Sequence, residues 1–375
     1  MAVIHIITGL NDGGAEGVLF RLCLSDKYNK HIVVSMMDGG KYGPLLLENG
    51  IKVHCLNMRP NRISLTGLLK LYRIIRKIKP DVVQTWMYHA DLIGGIIARL
   101  SGINNVVWGV RHATLLKRDS KYLTILIARI NAKLSFIVPK KIIYCAEKAK
   151  EVHEAMGFSE SKGVVIQNGY FTNVIRPAIE DRISFRQELG IDDNVFLIGH
   201  VGRYNPQKDH ITLVKSIGNI EKKHKFWKVV LVGSNLDGAN KTLINFIRKH
   251  DLINDFIFLG RRSDIARVMN GFDLHVLSSS SGEAFPNVLA EAMACGTPCV
   301  TTNVGDAALI VGDTGWVVSP RDPTSLAYAI VQAYNECNLQ TENWNDRKKA
   351  CRDRVVKNFS IEKMVLGFNN IWFSF

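Results

Sequence analysis

The cysteines of this 375-residue chain lack the paired spacing that a zinc site or a secreted disulfide framework shows. The seven present (Cys23, Cys55, Cys145, Cys295, Cys299, Cys337, Cys351) are scattered and odd in number, which fits a reduced, cytoplasmic setting. No stretch approaches about eighteen consecutive apolar residues, and MAVIHIITGL at the amino terminus has no basic segment ahead of its apolar run. Neither a membrane span nor export is expected. Internal repeats, low-complexity segments, nucleic-acid recognition motifs and D-x-D acidic pairs are missing too, and no cysteine or histidine spacing suits a metal. Acids are scarce where bases are dense: Lys52 to Lys79 holds eight Lys or Arg and no acid, and Arg111 to Lys150 holds ten against two, within a net charge of +14. A cationic first half suits any polyanion, whether nucleic acid, phosphorylated substrate or anionic lipid.

What is present is an alternation. Ala2 to Thr8 is an apolar β-branched run, followed by the glycine-rich turn GLNDGGAEG and a helical pattern through Val18, Leu19, Leu22 and Leu24. Strand candidates recur at HIVVSMM, KVHCLN, DVVQTW, NVVWGV and KIIYCA, with helical segments such as Ser64 to Ile78 and Ala90 to Leu100 between them. The rhythm breaks at QNGYFTNVIRPAIED and restarts with VFLIGHVG, KVVLVG, FIFLG, LHVLSS and PCVTT, with helices from His210, Leu243, Ile265 and Asn287. The expected fold class is α/β, with two Rossmann-like doubly wound domains facing a central cleft. The expected bounds are 1–170 for the first domain, 171–355 for the second, and 356–375 for an aromatic-rich carboxy-terminal helix that returns to the first. Met36, Met37, Trp86 and the aromatic tail belong to cores in this scheme.

Three loops carry candidate chemistry. Gly9 to Gly17 opens a helix, so its backbone N–H groups and the helix dipole suit a phosphate, although it is neither G-x-G-x-x-G nor a Walker loop and a plain tight turn serves equally. In GRYNPQKDH, Arg203 and Lys208 stand at a strand end and just before a helix, placed to neutralise a diphosphate. In SSSGEAFPNVLAEAMACGTP, Pro286 sits at a helix start and Gly296 at its end; Glu283 precedes the helix and Glu291 lies on its second turn. Carboxylates accept hydrogen bonds from hydroxyls. A phosphate flanked by sugars, as in a nucleotide-sugar, would use cations centrally and acids peripherally.

The order GGAE, GRYNPQK, E-x7-E within GEAFPNVLAEAMACGTP, then TTNVGDAALIVGDTGWVVSPRDP, resembles the retaining family-4 glycosyltransferases of GT-B fold over nearly the whole chain. The resemblance implies that Gly13 and Gly14 contact donor phosphate and that Arg203 and Lys208 brace the pyrophosphate. It implies that Glu283 binds hydroxyls of the transferred sugar, that Phe285, Pro286, Asn287 and Val288 contact sugar and phosphate through their backbone, and that Glu291 binds the ribose. His112 in WGVRHATL matches the place of a catalytic-site histidine, with a structural role as its alternative; His89, Asp91 and Arg111 are acceptor-side candidates. The implied reaction is metal-independent, without cofactor, and retains the donor's anomeric configuration. The implied partners are a nucleotide-sugar, UDP-linked by preference, and a glycan or polyprenyl-diphosphate-linked acceptor of surface polysaccharide synthesis.

Rival readings are an epimerase of the same fold, a basic nucleic-acid-binding protein and a non-catalytic scaffold. NRISLTGLLKLYRIIRKIKP places leucines and isoleucines at helical spacing among cations, so peripheral contact with anionic membrane at the inner face of the cell membrane is expected, through Leu68, Leu71 or Ile75; a core helix with a solvated basic face is the alternative.

Overall fold

Apolar β-branched runs become buried strands where helices cover both sides of them, and the chain repeats that arrangement twice. The computed structural model describes residues 1–59, 64–113, 122–220 and 227–375. Part of the basic segment, 60–63, and the residues that follow Ala113, up to 121, lie outside the described residues. The chain divides into two units: Met1–Gly169 with Ile361–Phe375, and Tyr170–Ser360.

In the first unit β1 (Ala2–Ile7), β2 (Lys30–Ser35), β3 (Lys52–Cys55), β4 (Val82–Trp86), β5 (Val106–Val110), β6 (Lys141–Tyr144) and β7 (Gly163–Val165) form a parallel sheet ordered β3-β2-β1-β4-β5-β6-β7. Its helices are α1 (Gly14–Ser25), α2 (Tyr42–Glu48), α3 (Leu65–Ile78), α4 (Tyr88–Leu100), α5 (Tyr122–Leu134) and α6 (Glu147–Ala155). Ser64 caps α3 by accepting from Gly67 N–H, and Gly67, Leu71 and Ile75 form its buried face. This corrects the expectation that Leu71 or Ile75 meets lipid, because both are fully buried in the core.

The second unit contains α7 (Ile179–Glu188), α8 (His210–Asn219), α9 (Lys241–Lys249), α10 (Ile265–Gly271), α11 (Asn287–Ala294), α12 (Ala307–Val311), α13 (Pro323–Leu339) and α14 (Thr341–Asn358). Its strands β8 (Phe196–Val201), β9 (Trp227–Val232), β10 (Phe256–Gly260), β11 (Leu274–Leu277), β12 (Cys299–Thr302) and β13 (Trp316–Val318) run parallel in the order β10-β9-β8-β11-β12-β13. Ile198, Val229, Leu231, Val276 and Val300 from four of these strands join Leu213, Leu243 and Ile330 in one core. The last helix, α15 (Ile361–Trp372), belongs to the first unit, where it packs on α1 and stacks Phe368 on Trp86 with ring centroids 5.9 Å apart. β7 and β13 are three residues each, too short for a periodicity to mark them in the sequence.

Both sheets reverse their strand order beside their first strand, at β1/β4 and at β8/β11. Ligands of open parallel sheets bind beyond the carboxyl ends of the strands at such a reversal.

Candidate active site

In the second unit the loops leaving β8 and β11 are tied together at this reversal. Asn205 caps a short turn by accepting from Gln207 N–H, and Asp209, held at φ +48°, caps α8 by accepting from Thr212 N–H at 3.2 Å and from its hydroxyl at 2.7 Å. Across from them the Ser278 hydroxyl donates to the Lys208 carbonyl at 2.9 Å, and Ser280 N–H donates to the Gln207 carbonyl at 2.8 Å. The side chains meet as well: Lys208 Nζ donates to Glu283 Oε1 at 2.6 Å, and the Ser279 hydroxyl donates to the same oxygen at 2.6 Å. Both charged side chains are largely covered, at 18% and 13% exposure. A charge pair this sheltered is held by more than surface attraction, and removal of one partner strands the other.

The Glu283 loop leads directly into α11. Pro286 occupies the N-cap with extended backbone and Gly296 follows the last turn at φ +74°. The first amides of an α-helix have no intrahelical partner and carry partial positive charge. Asn287 at this end is held by Tyr170, whose hydroxyl donates to its Oδ1 at 2.5 Å, and Phe285 packs edge-on against Phe359. Val288 is half-buried, as is Glu291 one turn on, whereas Arg203 is exposed beyond the end of β8. On the far side of the Glu283 loop, Asp306 N–H donates to the Ala284 carbonyl at 2.9 Å, and Gly305 at φ +62° approaches the backbone of residues 283 and 284 too closely for any side chain.

Beside Lys208 lie three buried histidines that the sequence reading did not single out. His200 on β8 donates or accepts through Nδ1 at the Val276 carbonyl, 2.9 Å away; since a carbonyl only accepts, Nδ1 carries the proton. His200 Nε2 and both ring nitrogens of His210 and His275 are buried without a hydrogen-bond partner. Burial, and secondarily the Lys208 charge, pushes His210 down to about 4 and His275 to about 3. For His200 burial again leads, followed by the neighbouring histidines. The ammonium of Lys208 therefore stands against neutral rings.

The first unit places its candidates differently. Gly13 is the N-cap of α1 and Gly14 its first residue, but the Glu16 carboxylate folds back over Gly13, where a side chain would collide with it. Burial raises the Glu16 pKa. Asp91 is not at a surface: it is 1% exposed, accepts from the Thr85 hydroxyl at 2.5 Å and from Gly109 N–H, and burial pushes it up to about 8. It is thus a neutral acid of the core at pH 7. His89 is half-buried, its pKa lowered by burial. Arg111 lies with its guanidinium 4.7 Å from the Trp86 ring and donates to Asn168 Oδ1 at 2.9 Å, while burial lowers it to about 10. His112 follows, half-buried.

A hydrogen-bonded chain that the sequence did not announce runs through this unit. Trp86 Nε1 donates to His5 Nδ1 at 3.2 Å, His5 Nε2 meets His31 Nδ1 at 2.9 Å, and His31 Nε2 lies 3.2 Å from Asp26 Oδ2. Burial opposes a charge on Asp26, yet hydrogen bonds from His31, Asn29 and Tyr28 N–H hold it below the usual carboxylate range. His5, Cys23 and His31 come near enough to one another for a metal. Hydrogen bonds already occupy these ring nitrogens: Trp86 requires the His5 Nδ1 lone pair, which places the proton on Nε2, and burial keeps Cys23 a thiol.

Each unit is thus a doubly wound α/β fold of the nucleotide-binding class, with its polar residues gathered at strand ends. Residues 13–173 match the family model "Glycosyltransferase Family 4" and residues 181–350 match "Glycosyl transferases group 1". The Escherichia coli UDP-Gal:alpha-D-GlcNAc-diphosphoundecaprenol alpha-1,3-galactosyltransferase is 28% identical over 340 residues, covering 86% of this chain and 84% of that protein. The Staphylococcus aureus capsular polysaccharide biosynthesis glycosyltransferase CapM is 25% identical over 305 residues, 76% of each. Among solved structures, Anabaena HepE in complex with UDP superposes with a TM-score of 0.87 over the whole of both chains at 22% identity. The chain belongs to the family-4 and group 1 glycosyltransferases, and its two parallel-sheet units have the GT-B fold.

Proposed function

We propose that the chain moves a hexosyl or N-acetylhexosaminyl group from a UDP-sugar to a lipid-diphosphate-linked glycan of surface polysaccharide synthesis, with retention of anomeric configuration and without a metal ion. The Lys208–Glu283 pair at the β8/β11 reversal carries this reading, because it puts a cation and a hydroxyl acceptor side by side at the mouth of a helix amino terminus. On donor binding Lys208 exchanges Glu283 for diphosphate oxygens. Arg203 and the first amides of α11 add positive charge, and Glu283 is released to accept hydroxyls of the sugar. Glu291 takes the ribose hydroxyls by the same chemistry. Charge growing on the leaving diphosphate is stabilised by groups already in place. The family resemblance favours attack from the face the diphosphate leaves, with the diphosphate accepting the acceptor's proton. In the first unit, His112 serves the donor sugar, Gly13 and Gly14 the donor phosphate, and Arg111 an acceptor phosphate; Asp91 acts from the core rather than on a substrate.

Support for the donor and acceptor comes from relatives: the Escherichia coli protein is named for UDP-Gal and a diphosphoundecaprenol-linked sugar, and HepE was solved with UDP. The test is a panel of UDP- and GDP-sugars, with and without GlcNAc-diphosphate-polyprenol, read by nucleotide release and by the anomeric proton coupling of the product. A UDP-sugar consumed only with acceptor, giving a product of unchanged anomeric configuration, is expected. An epimerised donor formed without acceptor, or an inverted product, would overturn the corresponding part.

A further inference from the structure

The chain enters the second unit at Tyr170 and leaves it at Ser360. These two ends lie side by side: Tyr170 N–H donates to the Phe359 carbonyl at 3.0 Å, and Tyr170 and Ser360 form an isolated parallel bridge. The residue just ahead is held too, because Arg21 Nε donates to the Gly169 carbonyl at 2.9 Å and Gly169 N–H donates to Met364 Sδ at 3.1 Å.

Both ends reach the same corner, the start of α11. There Phe285 and Asn287 flank Pro286, the N-cap. The Phe359 ring packs edge-on against Phe285 with centroids 5.4 Å apart, and the Tyr170 hydroxyl donates to Asn287 Oδ1 at 2.5 Å. Tyr170 and Phe359 are buried. A buried ring at 170 needs only apolar volume, which phenylalanine would supply, whereas a buried hydroxyl costs free energy unless it is bonded. Here its bond goes to the first residue of the helix. Internal bonding of α11 begins at Leu289, whose N–H donates to the Pro286 carbonyl at 3.1 Å, so the amides of Asn287 and Val288 precede the ladder. The far end of α11 is tied to the same entering segment: the Arg352 guanidinium donates to the Ala294 carbonyl at 2.6 Å, to Ile175 at 2.6 Å and to Thr172 at 2.5 Å.

We infer that Tyr170 is a positioning residue of the donor site and acts through Asn287. Its hydroxyl fixes the side chain of the first helical residue, and with it the direction in which the Asn287 and Val288 amides face the leaving diphosphate; Phe359 steadies the other side of Pro286 through Phe285. The inference rests on the donor reading proposed above, in which those amides meet the diphosphate. Stabilisation of that kind depends on donors fixed in place before the charge develops, so a start of α11 that is free to turn is a weaker site.

The experiment is a double-mutant cycle of Y170F, N287A and Y170F/N287A, read by calorimetric titration with UDP and by turnover well below the melting temperature. Y170F removes one oxygen and keeps the ring, so the core is preserved. It should bind UDP about fivefold to tenfold more weakly and turn over about tenfold more slowly, with the acceptor KM unchanged. In the N287A background the same change should alter UDP affinity by less than about twofold, because the group it acts through is gone. F359L, which keeps an apolar side chain and loses the edge contact, should also weaken UDP binding. Parental UDP affinity and turnover in Y170F, with only its melting temperature lowered, would make the hydroxyl a stabilising group alone and overturn the inference. So would an equal loss of affinity with and without the Asn287 side chain. A parent chain that binds neither UDP nor GDP would instead remove the donor reading, and the positioning role with it. Where UDP binds but no sugar is transferred, the proposed reaction fails and the affinity cycle still decides the role of Tyr170.

Discussion

Replacing Lys208 with Met should weaken nucleotide binding, whereas replacing Glu283 with Gln should not. Lys208 Nζ and the Ser279 hydroxyl both donate to Glu283 Oε1, each at 2.6 Å. Lys208→Met leaves a mostly covered carboxylate with a neutral donor in place of a cation. Breaking a fully buried pair costs about 3–5 kcal/mol; with 18% and 13% exposure, and water able to reach the carboxylate, about 1–2 kcal/mol is expected. That corresponds to a fall in Tm of roughly 2–8 °C for a unit of this size. UDP affinity should drop as well, and loss of one donor to the leaving group should lower kcat by on the order of 100-fold. Glu283→Gln keeps an acceptor for both Ser279 and Lys208 and should melt within about 2 °C of the parent. It also removes the anion that competes with UDP for Lys208, so UDP should bind as tightly as in the parent or more tightly, while transfer slows because a neutral amide is a weaker acceptor for the sugar hydroxyls. Calorimetric titration with UDP, thermal melting and a UDP-release assay on both variants form the experiment. Parental turnover by Glu283→Gln, or parental UDP affinity in Lys208→Met, would refute the exchange of partners on which the mechanism rests.

Activity should persist in excess chelator, because Lys208, Arg203 and the α11 amides supply the charge; strict dependence on added magnesium or manganese would sink that division of labour. Acid should destabilise the fold early. His153, buried on α6, and His210 are held near 4 and His275 near 3 by burial, so below the ordinary value of about 6.5 the unfolded chain binds protons that the folded chain refuses. Each such histidine removes up to about 1.4 kcal/mol per pH unit until its folded-state value is reached, and urea midpoints measured from pH 7 to 4.5 should show His210→Asn with a shallower slope than the parent. Asp91→Asn should be at least as stable as the parent at pH 7, since burial pushes the carboxyl up to about 8 and folding of the parent must then take up a proton that the unfolded chain has lost; the variant's advantage should grow as pH rises from about 4 to 8 and level off above, where both states are ionised. A lower Tm for Asp91→Asn at pH 7 would mean that the carboxylate is charged in the core.

The strand runs and the α11 boundaries were legible because they are local: Pro286 and Gly296 mark the ends of a helix wherever they occur at that separation. Direct pairing of Lys208 with Glu283 was not, since the two are 75 residues apart and only the adjacency of β8 and β11 brings them together. The same adjacency hides the histidines. His200 and His275 look like isolated residues in apolar strands, and their shared neighbourhood exists only once the sheet order is known.

Two misplacements in the first unit had a signal that face-by-face reading would have caught. Asp91 shares a helical face with Gly94, Gly95 and Ala98, and small residues at that spacing mark the side on which a helix is packed close; a Cβ at Gly94 or Gly95 would already crowd Ile6 or Trp108. Leu71 and Ile75 likewise follow Gly67, whose own contact is with Met58, so the glycine assigns that stripe to the core and turns Leu65, Leu69 and Tyr72 outward. Total apolar content cannot make this distinction, because leucines lie on both faces of α3. Small residues can: a backbone that must approach its neighbour tolerates them on one side only, and the large side chains left opposite are those with no partner inside the unit.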